Sequence, residues 1–180
     1  EIYVAAKKKA AAEVGIGSRD VVLPADISHE KLLSAVRELN NDPEVNGILV
    51  QLPLPKQVRE KEIIDAIDVS KDVDGFTTAS CGALYRGDRA FAPCTPSGVV
   101  RLLDEYKIPL EGREAVVVGR SIIVGKPMAH LLLARHMTVT IAHSRTRDLA
   151  AVCRRADVLV AAVGKARIVG RDYVKEGAAV

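Results

Sequence analysis

Ala115-Val116-Val117-Val118-Gly119-Arg120-Ser121-Ile122-Ile123-Val124-Gly125-Lys126-Pro127 is the stretch that decides the fold of this chain. A run of β-formers meets a glycine, a short turn follows, and the next residues read as the start of a helix. Backbone N–H groups and a helix N-terminus gathered in this way hold phosphate, so the unit points to a dinucleotide and to redox chemistry. The fingerprint departs from G-x-G-x-x-G: Ser121 stands where the second glycine belongs, and Gly125 arrives one residue late. An ordinary β–α turn remains the competing reading of the motif alone.

Outward from this unit the alternation continues. A strand is predicted at 114–118, a helix at 124–135, a strand at 137–143, a helix at 147–155, and a strand from Asp157 to Val163 that ends at Gly164. Alternating β and α elements imply a parallel sheet with helices on both faces. Upstream, residues 1–14 read as an Ala/Lys-rich helix ended by Gly15, and Asp20–Leu23 as a short strand closed by Pro24. Ser28 caps a helix running to Asn40 with Leu32, Leu33, Val36 and Leu39 on its apolar face. Ile48–Leu52 reads as a buried strand and Glu60–Ile67 as a helix, whereas 68–95 shows turn chemistry and little periodicity. Thr95 is expected to cap a helix reaching Lys107, with Pro96 at its first position. The expectation is therefore an α/β chain of two lobes around a cleft, 1–94 and 95–180, the second Rossmann-like. Both ends read as cut: no cap precedes the first helix, and Lys175–Val180 is a turn into an undeveloped strand.

Composition narrows the function classes. At 48% hydrophobic and 27% charged, the 180 residues can build real cores. A net charge of +3 and an aromatic content of 3% leave no footprint for nucleic acid, and no apolar run is long enough to span a bilayer. Cys81, Cys94 and Cys153 lack metal or disulfide spacing, and the four histidines are scattered, so no metal site is expected. Free thiols in a reducing compartment, the cytoplasm, are the expectation.

The second strand ends in His143-Ser144-Arg145-Thr146-Arg147, with no acid before Asp148. An acid at this place binds ribose hydroxyls, whereas cations and hydroxyls suit a 2′-phosphate. Position thus favours NADP over NAD, against the alternative of a solvated basic turn. The carbonyl ends of the strands, near Gly119, Ser144 and Gly164, are the expected walls of the cofactor crevice.

Five motifs occur in order: Tyr3-Val4-Ala5-Ala6-Lys7-Lys8-Lys9, Val50-Gln51-Leu52-Pro53-Leu54-Pro55, Lys71-Asp72-Val73-Asp74-Gly75-Phe76, Pro93-Cys94-Thr95-Pro96, and Val118 to Pro127. The series resembles the bifunctional methylenetetrahydrofolate dehydrogenase/cyclohydrolase family over essentially the whole chain. The resemblance implies a folate site between the lobes and NADP on the second. It implies oxidation of 5,10-methylenetetrahydrofolate followed by hydrolysis of the methenyl product to 10-formyltetrahydrofolate. By the same resemblance Lys7 is the catalytic lysine, Gln51 the amide bonded to it, and Tyr3 the ring stacked on folate. Val50, Leu52 and Pro53 border the substrate, and Asp74 anchors the pterin. Tyr3 and Lys7 lie one turn apart, on a face predicted to include Ala10 and Val14. Arg120 and Ser144 fall to the 2′-phosphate, with Arg145 a weaker candidate. Gly119, Ser121 and Gly125 fall to the pyrophosphate turn, Thr95 to its helix cap or the nicotinamide region, and Gly164 to the crevice wall. Asp72 is read as structural and Cys94 as packing. A homodimer through the second lobe is implied as well. Three other readings stay open: a dehydrogenase-only member, a longer protein with a ligase domain, and a non-catalytic NADP-binding sensor.

Overall fold

The structure, a computed structural model, describes residues 2–180, and the side chains of Ile2 and Tyr3 lie outside the described part. Helix α1 (Ile2–Glu13) ends at Gly15, whose φ of +76° reverses the chain. Its inward face is Val4, Lys7 and Ala11, spaced three and four apart. Ala10 and Val14, expected on that face, are exposed. The 3.6-residue period carries the stripe through Ala11 instead.

Helix α2 (His29–Asn41) starts as expected: the Ser28 hydroxyl accepts from the Lys31 N–H at 3.3 Å. Leu32 and Val36 bury its apolar face against Ile48, Val58, Ile63, Ile64 and Ile67, with Leu33 and Leu39 packed at the margin. Helix α3 (Glu60–Asp65) is shorter than predicted and closes at Ala66. The two strands expected in this lobe do not form ladders. Residues 20–23 are extended and exposed, with Val22 88% accessible. Of 48–52, Ile48 alone pairs, in a parallel bridge to Asp72. β-branched composition favours extended backbone, but a strand needs a neighbour for its N–H and C=O groups, and among the described residues the Ile48–Asp72 bridge is the only such pairing along these segments.

The segment 68–95 is more ordered than expected. A one-turn 3₁₀ segment covers Val69–Lys71, and helix α4 spans Thr78–Arg86. Thr77 caps α4 through its hydroxyl and Gly87 closes it at φ +77°. Helix α5 runs from Cys94 to Glu105. Thr95 is not its cap: the Pro93 carbonyl already accepts from the Ser97 N–H, so Thr95 sits inside the first turn.

The second lobe follows the predicted alternation closely. It comprises β1 (Glu114–Val118), α6 (Gly125–Leu133), β2 (Thr138–Ala142), α7 (Leu149–Cys153) and β3 (Val158–Ala161). The parallel sheet has the order β2-β1-β3. Ala179 bridges Val158 in parallel, which is where the undeveloped strand was expected. The two-residue period of β1 divides it between two cores. Ala115 and Val117 pack with Met128, Leu132 and Leu103; Val116 and Val118 pack with Leu159, Ala156 and Cys153. Each fully buried valine here contributes about 1.5–3 kcal/mol. Because α6 leads to one side of β1 and α7 crosses back to the other, the strand order reverses at β1, and its carboxyl end is a switch point. No helix among the described residues is long and apolar enough to cross a membrane.

Candidate active site

Two groups of predicted residues assemble, one on each lobe. On the first, α1 turns Lys7 toward the 47–55 segment, where its Nζ donates to Gln51 Oε1 at 3.1 Å. The Gln51 amide nitrogen donates in turn to the Leu52 carbonyl at 3.0 Å, so both ends of the amide are engaged. The Leu52–Pro53 peptide bond is cis. Lys7, Val50, Gln51 and Pro53 line a cleft of about 620 Å³ that runs between α1, α2 and residues 16–25. Val50 and Leu52 are half-buried, and Pro53 is exposed. The neighbours of Lys7 are engaged elsewhere: Lys8 pairs with Asp20 at 2.9 Å and Lys9 with Glu13 at 3.9 Å. Tyr3, the predicted stacking ring, lies outside the described side chains.

Asp72 and Asp74 flank the same turn with different surroundings. Asp72 is 1% exposed and accepts from the N–H groups of Phe76 and Thr77 at 3.2 and 2.9 Å. Burial pushes its carboxyl up, but bonds from Ser80, Thr77 and Phe76 outweigh that and hold it below the usual carboxylate range. This is the structural role expected of it. Asp74 is half-buried, and burial raises its carboxyl; the Lys7 cation pulls it down and the Asp72 charge pushes it up again. Lys7, Gln51 and Asp74 thus form one electrostatic neighbourhood. The turn needs Gly75, with φ +67°, because a Cβ there would lie 2.1 Å from the Phe91 carbonyl oxygen.

The second group sits on the carboxyl edge of the sheet. Val118 is in register with Ala142 and Ala161, so the strands end level and release Gly119, His143 and Ala162 side by side. Gly119 has φ +133°, and a Cβ would lie 2.3 Å from the Ala162 oxygen. A Cβ on Gly125 would lie 2.3 Å from the Gly119 oxygen. The glycines therefore let the first turn of α6 close on the end of β1, the cradle that a pyrophosphate site requires. Ser121 fills the role of an N-terminal cap: its hydroxyl accepts from Val124 and Gly125 at 3.1 and 3.3 Å. Arg120 is exposed beside it. After β2 a closed turn, with His143 N–H on Thr146 Oγ1 at 2.9 Å, presents Ser144 and Arg145 outward. Gly164 is exposed, with open space around its Cα. Thr95 is exposed in the first turn of α5. Cys94, expected to pack, is exposed too, because it opens α5 on the solvent side; Cys153 is the cysteine in the core. The sequence reading missed α4, although Thr77 and Gly87 carry its start and stop signals.

Residues 93–180 match the model of the tetrahydrofolate dehydrogenase/cyclohydrolase NAD(P)-binding domain, and residues 1–74 match the model of the catalytic domain of the same enzymes. The chain belongs to the tetrahydrofolate dehydrogenase/cyclohydrolase family. Within that family, "Bifunctional protein FolD" of Methanoculleus marisnigri is 57% identical over 180 residues, which is 100% of this chain and 64% of the relative. The protein of the same name from Moorella thermoacetica matches equally, at 57% identity and 64% of its length. Among solved structures, the bifunctional FolD enzyme of Campylobacter jejuni superposes with a TM-score of 0.95 at 45% identity, covering 98% of this chain and 63% of that one. The Trypanosoma brucei dehydrogenase-cyclohydrolase, solved with NADP cofactor and inhibitor, gives 0.93 at 36% identity, covering 98% and 61%. The chain therefore spans 64% of the length of the two curated relatives named here.

Proposed function

We propose that the protein carrying this chain oxidises 5,10-methylenetetrahydrofolate with NADP⁺ and hydrolyses the 5,10-methenyl product to 10-formyltetrahydrofolate. The observation that carries the reading is the Lys7–Gln51 bond beside half-buried Asp74, in one chain with the glycine cradle of 119–125. A sensor of dinucleotide alone has no use for the first of these. In this reading the lobes divide at 94/95 and function as substrate and cofactor halves.

Asp74 orients the substrate by accepting two parallel hydrogen bonds from the pterin ring, with Tyr3, Val50, Leu52 and Pro53 bordering it. Lys7 moves the proton in hydrolysis. As the water oxygen bonds to the methenyl carbon, a water proton passes to the lone pair of Lys7 Nζ, which acts in this step as the neutral amine. That proton returns to the ring nitrogen as its bond to the carbon opens, and the hydroxyl proton left on the added oxygen goes to solvent as the formyl C=O forms. Gln51 Oε1 holds the amine in line, and its own amide is fixed by the Leu52 carbonyl. Bound NADP⁺ supplies the hydride acceptor for the first reaction. Gly119, Ser121 and Gly125 would hold its pyrophosphate, and Arg120, Ser144 and Arg145 its 2′-phosphate. Thr95 and Gly164 would border the remainder. The oxidation asks the protein chiefly for alignment, since the flanking nitrogen lone pairs expel the hydride.

The same reading includes a cytoplasmic homodimer joined through the second lobe, for which the open edge of β2, with Ile141 exposed, offers a surface. The deciding experiment follows NADPH absorbance with methylenetetrahydrofolate and either NADP⁺ or NAD⁺. Turnover with NADP⁺ supports the reading. Silence from folded protein at its natural length overturns it in favour of a binding module.

A further inference from the structure

Residues 75–92 lie between the two family-model matches, which end at 74 and begin at 93. In the structure they form a closed excursion. It leaves the first lobe directly after Asp74, runs out along α4, turns at Gly87, and returns so that Phe91 lies against Gly75. Its base is fastened by two carboxylates: Asp72 takes the N–H groups of Phe76 and Thr77, and Asp65 takes the N–H and hydroxyl of Thr78 at 2.7 and 2.8 Å. Its tip reaches the second lobe. The Tyr85 ring meets the His130 ring edge-on, with centroids 5.0 Å apart and planes at 83°. Among the described elements, α4 on α6 is the largest contact across the lobe boundary.

The far end of this contact is equally well anchored. His130 sits on α6, whose Met128 and Leu132 are fully buried against the sheet, and whose first residue is Gly125 of the glycine cradle. A line of contacts thus runs from Asp74, through α4 and the Tyr85–His130 pair, whose tyrosine is otherwise 73% exposed, to the turn at 119–125. We propose that residues 75–92 act as a strut that sets the separation of the folate and dinucleotide sites, with Tyr85 and His130 as positioning residues for the oxidation. The inference rests on the functional reading above. Oxidation needs both lobes in register, because donor and acceptor sit on different lobes. Hydrolysis uses Lys7, Gln51 and Asp74, all on the first lobe, and does not need the tip of the strut to reach the second.

That asymmetry is the test. In the natural-length enzyme, Tyr85→Ala is expected to lower kcat for methylenetetrahydrofolate oxidation roughly three- to tenfold, the worth of one aromatic pair. Hydrolysis of supplied methenyltetrahydrofolate stays unchanged, and Tyr85→Phe, which keeps the ring edge, restores the oxidation. A second readout needs no turnover: the imidazole proton resonances of His130 shift on Tyr85→Ala and keep their positions on Tyr85→Phe. Oxidation and hydrolysis falling together mean a general loss of structure and overturn the strut. So does unchanged oxidation in Tyr85→Ala, or an unmoved His130 signal. Absence of both reactions in the unsubstituted enzyme refutes the functional reading itself, and the inference with it.

Discussion

Replacing Gly125 with alanine tests the geometry on which the cofactor assignment depends. The backbone at 125 is not left-handed, so alanine suits its conformation, and at an open helical position the change gains up to about 1 kcal/mol in helix propensity. The structure predicts the opposite sign. The new Cβ would stand 2.3 Å from the Gly119 oxygen, 2.5 Å from its carbon and 2.8 Å from the Arg120 nitrogen. All three are backbone atoms, which cannot rotate away. Ordinary contact needs ~3.5 Å, so the first turn of α6 must retreat by roughly 1 Å. That retreat is resisted, because Met128 and Leu132 on the same helix are fully buried and would lift off the sheet. Overpacking of this kind costs about 1–3 kcal/mol, so with the full propensity gain set against it the net loss is about 0–2 kcal/mol. With a urea slope of about 2 kcal/mol per molar, the midpoint falls by up to roughly 1 M. A 1 Å displacement at a positioning element also costs on the order of a hundredfold in turnover. Urea titration followed by circular dichroism measures the first, and calorimetric titration with NADP⁺ reads the displacement as weakened binding. A midpoint that rises, or NADP⁺ affinity that holds, would refute the reasoning that the cradle is closed by glycine.

Lys7→Met is expected to abolish methenyl hydrolysis while NADP⁺ affinity stays within twofold; 10-formyl production at the normal rate would remove Lys7 from the mechanism. Arg120→Ala should weaken NADP⁺ at least tenfold and leave NAD⁺ nearly unaffected, since a charge-assisted bond to phosphate is worth about 1.5–3 kcal/mol; equal losses in titrations with the two cofactors would sink the 2′-phosphate assignment. Asp72 predicts a pH dependence. Its carboxyl is held below the usual range in the folded chain, so the unfolded chain binds the proton more readily. The stability it contributes is present above its unfolded value of about 3.9 and is lost as pH falls through the lowered folded value. Asp72→Asn should flatten that part of the acid-unfolding curve; an unchanged slope between the variants would show that the hydrogen bonds do not hold the charge.

The second lobe was legible because its signals are local. Val116, Val117 and Val118 are apolar on both faces of a strand, and each following turn and helix returns within a few residues, so the strand positions follow from the chain itself. The first lobe was harder where pairing is remote. Residues 20–23 and 48–52 have strand composition, yet composition cannot supply the neighbour that a ladder requires. Helix α4 was missed because Cys81-Gly82-Ala83 break any apolar stripe and because its start is held by Asp65 and Asp72, thirteen and five residues from their partners. The reading of Thr95 as a cap failed because the preceding Pro93 carbonyl had already begun the helix. Among the site residues, nothing local separates Lys7 from Lys8 and Lys9. Successive residues on a helix point about 100° apart, and only the order of five distant motifs indicated which lysine turns inward.

The two carboxylates at 72 and 74 differ in a way that supports the proposed ligand role of the second. Asp72 is the more deeply buried, yet its charge is held in place, because the N–H groups of Phe76 and Thr77 and the Ser80 hydroxyl replace the water it lost. Asp74 is less buried but pushed upward, because among the described residues no donor bonds to its side chain, and only the Lys7 cation opposes the cost. A carboxylate that has spent its lone pairs on backbone N–H groups fixes a turn and can do little else. One whose desolvation is left uncompensated gains most when an arriving ring brings two N–H donors of its own. Asp72 builds the turn that presents Asp74, so the structural residue and the residue proposed to bind the pterin belong to a single device.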